Sequence, residues 1–205
     1  ACTVAAGSLL QAKVLYLTRL YNLAMKFPLR TTTSSGLNVV IRPPQIRDAT
    51  VLLQFINTLS QEQTFITFQG EQLSLQEERT YLKNMTKKIK NHQAVQLLAL
   101  HEGQVIANTS IELGVRVNHH VGTFAISIAQ GYRGEGLGSI LIQKLLEYAK
   151  SNLPALKIIE LKLFANNLPA QHLYTKFGFQ EFGRLPKGVL YKGDYIDEIL
   201  MYKEV

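Results

Sequence analysis

The feature that most constrains this chain is a strand pattern that runs into a glycine-rich turn, with a helical pattern starting inside the turn. Val121 to Gln130 reads as a strand. The turn is Gln130-Gly131-Tyr132-Arg133-Gly134-Glu135-Gly136-Leu137-Gly138-Ser139, and from Leu137 apolar residues recur at Ile140, Leu141, Leu145 and Leu146 with the spacing of one helix face. Glycines let the backbone approach a ligand closely. The first N–H groups of a helix have no partner within it, and the helix dipole favours an anion there. The junction is therefore predicted to hold a phosphate. A dinucleotide fingerprint requires G-x-G-x-x-G; here the glycines fall at 134, 136 and 138 and residue 139 is serine. The Gly-Lys-Ser/Thr of a Walker loop is also absent.

The rest of the chain fits around this junction. Leu37 to Pro43 reads as a strand, residues 46–60 as a helix, and residues 75–91 as a helix opened by the capping box Ser74 and Glu77. Two apolar runs flank Glu102-Gly103, a hairpin signal. Ile158 to Ala165 reads as a buried strand, and a short helix follows that Gly178 stops. Two more strands lie near 180–186 and 194–203. The order β-α-α-β-β-β-α-β-α-β-β predicts an α/β (α+β) fold, a mixed, mostly antiparallel sheet of six or seven strands with helices on both faces.

Residues 1–37 stand apart. They carry Lys13, Arg19, Lys26 and Arg30 and no acid, a charge of +4 within the total of +7. Residues 9–27 have helical spacing, but Lys13 and Arg19 break the apolar run that a bilayer span needs. Such a segment fits an added helix on the domain or on a second subunit, an organelle-targeting segment, or a stretch outside the native mature sequence. Thr31 to Gly36 reads as a linker, so residues 38–205 are expected to form the domain. Their balance of +3 suits a polyanionic small ligand and gives no reason to expect nucleic acid. The single cysteine, Cys2, excludes an internal disulfide and a cysteine-clustered metal site. No metal is expected, and a reducing, cytoplasmic location is.

A second motif follows the first after an intervening strand. Residues 164–179 read Phe-Ala-Asn-Asn-Leu-Pro-Ala-Gln-His-Leu-Tyr-Thr-Lys-Phe-Gly-Phe. Arg133-Gly134-Glu135-Gly136-Leu137-Gly138 matches Arg/Gln-x-x-Gly-x-Gly. Asn167, Ala170, Leu173, Tyr174, Lys176, Gly178 and Phe179 match N-x-x-A-x-x-L-Y-x-K-x-G-F. With both motifs in this order, residues 38–205 resemble the GNAT superfamily of acyl-CoA-dependent N-acyltransferases. The resemblance implies acetyl-CoA as co-substrate, a primary amine as acceptor (small molecule, protein N-terminus or lysine), and central strands that splay to admit pantetheine. It places the coenzyme A diphosphate on Arg133, Gly134, Glu135, Gly136, Leu137, Gly138 and Ser139. It places pantetheine along the backbone of Ile126 and Ile128, with Asn167 and Tyr174 also contacting the cofactor. A homodimer fits the family as well.

Direct transfer needs a neutral amine, a polarised thioester and a proton for the leaving thiolate. Tyr174 is the candidate acid: a phenol near 10 is protonated at pH 7 and donates to a thiolate whose conjugate acid lies near 8.5. Many GNAT relatives carry a glutamate on the strand before the loop, where this chain has Thr123-Phe124. Glu112, which ends a strand whose other face is read as carrying Asn108 and Ser110, is the candidate base. His119 and His120 read as loop residues, and Asp197 beside Tyr195 is a candidate for holding the amine. Cys2 lies in the appendage, which argues against an acyl-enzyme. The alternative is a GNAT-fold acyl-CoA sensor or scaffold that catalyses nothing.

Overall fold

The computed structural model describes residues 25–205. The helical reading of 9–27 lies, up to residue 24, outside the described residues. The elements are β1 (Leu29–Thr32), β2 (Asn38–Arg42), α1 (Ala49–Gln61), α2 (Leu75–Lys90), β3 (Ala94–His101), β4 (Gln104–Leu113), β5 (Val121–Ile128), α3 (Leu137–Asn152), β6 (Ile158–Phe164), α4 (Leu168–Lys176), β7 (Gln180–Tyr191) and β8 (Asp194–Glu204). They build one eight-stranded sheet in the order β1-β2-β3-β4-β5-β6-β8-β7. Every neighbouring pair is antiparallel except β5–β6.

Local chemistry explains the element ends. The Ser74 hydroxyl accepts from the Glu77 amide at 3.3 Å, and the Glu77 carboxylate accepts from the Ser74 amide at 2.8 Å, so α2 starts at a reciprocal cap. Between β3 and β4, Glu102 and Gly103 both have positive φ, +49° and +81°, as a two-residue hairpin of matching twist requires.

Each face of the sheet has its own core. On one side α3 buries Leu137, Leu141, Ile142 and Leu145 against Val95, Leu97, Ile111 and Phe124. On the other, α1 and α2 bury Leu52, Phe55, Leu59 and Leu82 against Leu98 and Leu100. Strand alternation fixes which residues look which way. Phe124 packs in the α3-side core with Ile126 and Ile128 against it. Thr123, Ala125 and Ser127 face the α1–α2 side, opposite Glu112, Ser110 and Asn108 of β4, so Glu112 shares its face with Asn108 and Ser110 rather than opposing them, as the two-residue period of a strand requires.

Two expectations change. Thr31 and Thr32 belong to β1 rather than to a linker, paired with Val39 and Asn38, and only Thr33–Gly36 turns the chain, through Gly36 N–H to the Thr33 carbonyl at 3.0 Å. A threonine-rich stretch suits a pleated edge strand. The sheet thus begins at Leu29, inside the segment set apart by sequence, and has eight strands rather than six or seven. The strand near 180–186 continues to Tyr191 because irregularities between Glu181 and Gly183 and between Leu185 and Val189 carry it past Pro186 on the sheet edge.

β5 and β6 pair only at Val121–Ile158, Gly122–Ile159 and Thr123–Glu160. Beyond Thr123 the two strands part, so the sheet has a slit between residues 124–128 and 161–164. Gly122 lies within the paired stretch. A Cβ there would come within 2.6 Å of Ile111 Cγ2 and 2.8 Å of Leu156 Cδ1, so the core packed on this rung leaves room for glycine alone.

Candidate active site

The glycine-rich turn sits at the open end of the slit. After β5 the chain makes a single 3-10 turn (Gln130–Tyr132), then passes through Gly134 and Gly136 at φ +80° and +76°, a region that disfavours side chains. Gly136 precedes the first residue of α3 and has no side-chain cap. The N–H groups of Leu137, Gly138 and Ser139 therefore have no carbonyl one turn back within the helix and present an anion-binding cradle. A Cβ on Gly138 would lie 3.0 Å from Leu173 Cδ2 and 3.5 Å from Ile128 Cδ1, so the residue serves close packing of α3 on α4 and β5.

Arg133 braces the turn from behind. Its Nε donates to the Ile128 carbonyl at 2.8 Å, and its Nη2 meets Glu62 Oε2 at 2.5 Å. The other Glu62 oxygen accepts from the Gln130 amide at 3.3 Å. The end of α1 thereby holds both ends of the 3-10 turn.

Asn167 caps α4: its side-chain oxygen accepts from the Ala170 amide at 3.3 Å, which commits one of its polar atoms to the helix end. Tyr174 is buried in the α3-side core. Its ring meets Phe124 edge-on, with centroids 5.8 Å apart, and lies 6.0 Å from that of Phe179. Burial pushes its phenol up to about 12, because the phenolate would lose its water.

Carboxylates stand on the opposite face. Glu112 is directly across from Thr123 in the β4–β5 register and is ion-paired with Lys88. Glu160 is across from Thr123 on the β6 side, where the Thr123 hydroxyl donates to its Oε1 at a long 3.5 Å. Among the described residues no cation lies within ion-pair distance of Glu160. Glu160 is not among the candidates named from sequence, although an acid within the apolar run Ile158-Ile159-Glu160-Leu161 is a usable signal. Thr123 and Ala125 are exposed between these acids and form the floor of a groove.

The groove has two further walls. On α2 and β3, Gln96 Nε2 donates to the Tyr81 hydroxyl at 2.9 Å and to Asn108 Oδ1 at 2.8 Å. Burial, reinforced by the charge of Glu112, pushes the Tyr81 phenol up to about 12. One turn earlier, the buried Glu78 carboxyl is pushed up to about 7 by desolvation. At the other end Phe65, Phe164 and Tyr191 form an aromatic cluster with centroids 5.2–5.8 Å apart.

Other candidates lie apart from the slit. His119 bonds the Arg116 carbonyl in the loop before β5, and the His120 carbonyl accepts from Lys157 and Ile158. Both are at the closed end of β5. Asp197 accepts from the Lys187 amide at 3.0 Å and lies 3.6 Å from Arg184 Nη1, occupied within the β7–β8 hairpin.

A split sheet with an anion cradle at its mouth, a buried phenol behind it and carboxylates in front defines an acyltransferase-like class of site. Residues 54–179 match the family model described as Acetyltransferase (GNAT) family, and the chain belongs to that family. It is 32% identical over 107 residues to the L-amino acid N-acetyltransferase AaaT of Escherichia coli strain K12, across 52% of this chain and 65% of that enzyme. The match thus spans less than two thirds of that relative. A GNAT-family acetyltransferase from Streptococcus pneumoniae superposes with a TM-score of 0.75 at 29% identity, covering 82% of this chain and 99% of the other. The acetyltransferase yncA of Salmonella typhimurium, solved with its cofactor acetyl-CoA, superposes at 0.70 with 14% identity over 81% of this chain and 93% of that one, a likeness of fold.

Proposed function

We propose that this protein is an N-acetyltransferase that moves an acetyl group from acetyl-CoA to a primary amine, with both substrates bound at once. The observation that carries the reading is the slit between β5 and β6, which has Tyr174 on one face of the sheet, Glu160 on the other and the α3 N-terminus at its mouth. The amides of Leu137, Gly138 and Ser139 hold the diphosphate of coenzyme A. The unpaired edge of β5, at Ile126 and Ile128, lies along pantetheine. The amine approaches over Thr123 and Ala125.

The amine nitrogen attacks the thioester carbon, the C–N bond forms and the C–S bond breaks. The nitrogen then sheds a proton toward Glu160, and the sulfur leaves with the electron pair. Glu160 is better placed for this than Glu112, whose charge Lys88 already neutralises. A phenol near 12 is a weaker acid than a thiol near 8.5, so full transfer from Tyr174 to the thiolate runs uphill. Tyr174 therefore acts as a fixed hydrogen-bond donor to the developing thiolate, in a site where water is scarce. The proton that ends on the thiol comes from bulk water.

The reading is tested by incubating the protein with acetyl-CoA and a panel of primary amines and following thiol release. Amine-dependent release is the expected result. Tight acetyl-CoA binding with no release for any amine would favour a non-catalytic acyl-CoA sensor, and no binding would remove the reading.

A further inference from the structure

We propose that Ser34, in the β1–β2 turn, is a positioning residue that aims the Gly136 amide at the cofactor's diphosphate. The proposal rests on the reading of the glycine-rich turn as a coenzyme A site. Ser34 lies outside both the motifs and the matched family region, which begins at residue 54.

The Ser34 hydroxyl donates to the Glu135 carbonyl at 3.0 Å across 101 residues of sequence. A peptide unit is planar and trans, so its C=O and N–H point in opposite directions. Fixing the Glu135 carbonyl toward Ser34 turns the N–H of Gly136, in the same peptide, the other way, toward the side where the first amides of α3 gather. Left free, the Glu135–Gly136 peptide, which leads into a glycine at positive φ, can rotate. Rotation would bring a carbonyl oxygen to the anion. One hydroxyl thus selects the donor face of this peptide.

The turn that carries Ser34 is itself held. Thr33 is buried, and its hydroxyl accepts from the Leu37 amide at 3.2 Å and bonds Ser35 Oγ at 3.0 Å. Upstream, Phe27 packs edge-on against Tyr148 of α3 with centroids 5.0 Å apart, and Leu29 and Leu37 pack on the α3-side core. The segment 27–37 therefore grips α3 along its body and touches the turn at its N-terminus.

The test is coenzyme A binding by calorimetry, on the full chain, for the parent and for Ser34→Ala, Ser34→Thr and Ser35→Ala, with melting temperatures recorded. Ser34→Ala is expected to raise the Kd by about three- to tenfold, the worth of one such hydrogen bond, with the melting temperature unchanged. Ser34→Thr, which keeps the hydroxyl, is expected to restore parental affinity, and Ser35→Ala to bind like the parent. Equal affinity of Ser34→Ala and the parent would overturn the proposal. So would equal losses from Ser34→Ala and Ser35→Ala, which would mark a structural role of the turn. If the parent itself fails to bind coenzyme A, the reading of the site falls and the proposal with it.

Discussion

Burial sets the protonation state of Tyr174. With the phenol pushed up to about 12, it stays protonated across the working pH range, and Tyr174→Phe is expected to lower kcat by about 10²-fold, as loss of one preorganised hydrogen-bond donor does, while leaving the Kd for acetyl-CoA unchanged. Steady-state kinetics paired with calorimetry checks both halves. Glu160→Gln is expected to lower kcat/KM, whereas Glu112→Gln leaves kcat/KM near the parental value; steady-state kinetics on the two variants separates them. Glu78 contributes a pH dependence to stability. Its carboxyl normally titrates at 4.5 and is pushed up to about 7 in the fold, so between these values the folded protein holds more protons than the unfolded chain. Stability from this group is fully present below about 4.5, falls as pH rises, and is lost above about 7. Glu78→Gln should therefore gain a few degrees of Tm relative to the parent at pH 8 compared with pH 4. Tyr174 was a candidate from sequence because its spacing to Asn167 and Gly178 is a motif. Glu160 was not, because its meaning comes from standing at the last rung before two strands part, and periodicity does not show where strands part.

At the scale of elements, local signals gave most of the structure: the cap at Ser74, the Glu102-Gly103 hairpin and the helical run from Leu137 all formed as read. What they did not give was pairing that passes an irregularity. β7 reads as finished at Pro186, yet it stays on the edge to Tyr191. The closed end of β5 packs tightly around one small residue. Gly122→Ala should destabilise the protein by about 1–3 kcal/mol, the usual cost of overpacking, because its Cβ would meet Ile111 and Leu156; chemical denaturation measures this. Gly136→Ala places a side chain at φ +76°, with its Cβ 3.4 Å from the Ser34 hydroxyl. It is expected to weaken coenzyme A binding more than it lowers Tm.

On the scale of the whole molecule, β1 was the element least visible in advance. Four residues of mixed polarity, Leu29 to Thr32, carry too little pattern to be called a strand, and only their partner β2 makes them one. A chain that starts at residue 38 would lose β1 and the packing of Phe27, Leu29 and Leu37. It would also expose the edge of β2, which invites association. We expect it to melt several degrees lower than the full chain and to elute partly as aggregate on size exclusion. The mixed sheet with helices on both sides was legible because the order of patterns permits few alternatives. That the two faces would divide the labour was not.

That division has a kinetic consequence. β5 and β6 part beyond Thr123, so on the proposed reading the thioester and the amine would enter from opposite faces, and neither would block the other's way in or out. Nothing in the layout obliges one product to depart before the second reactant arrives. Double-reciprocal plots at several fixed amine concentrations should therefore cross rather than run parallel.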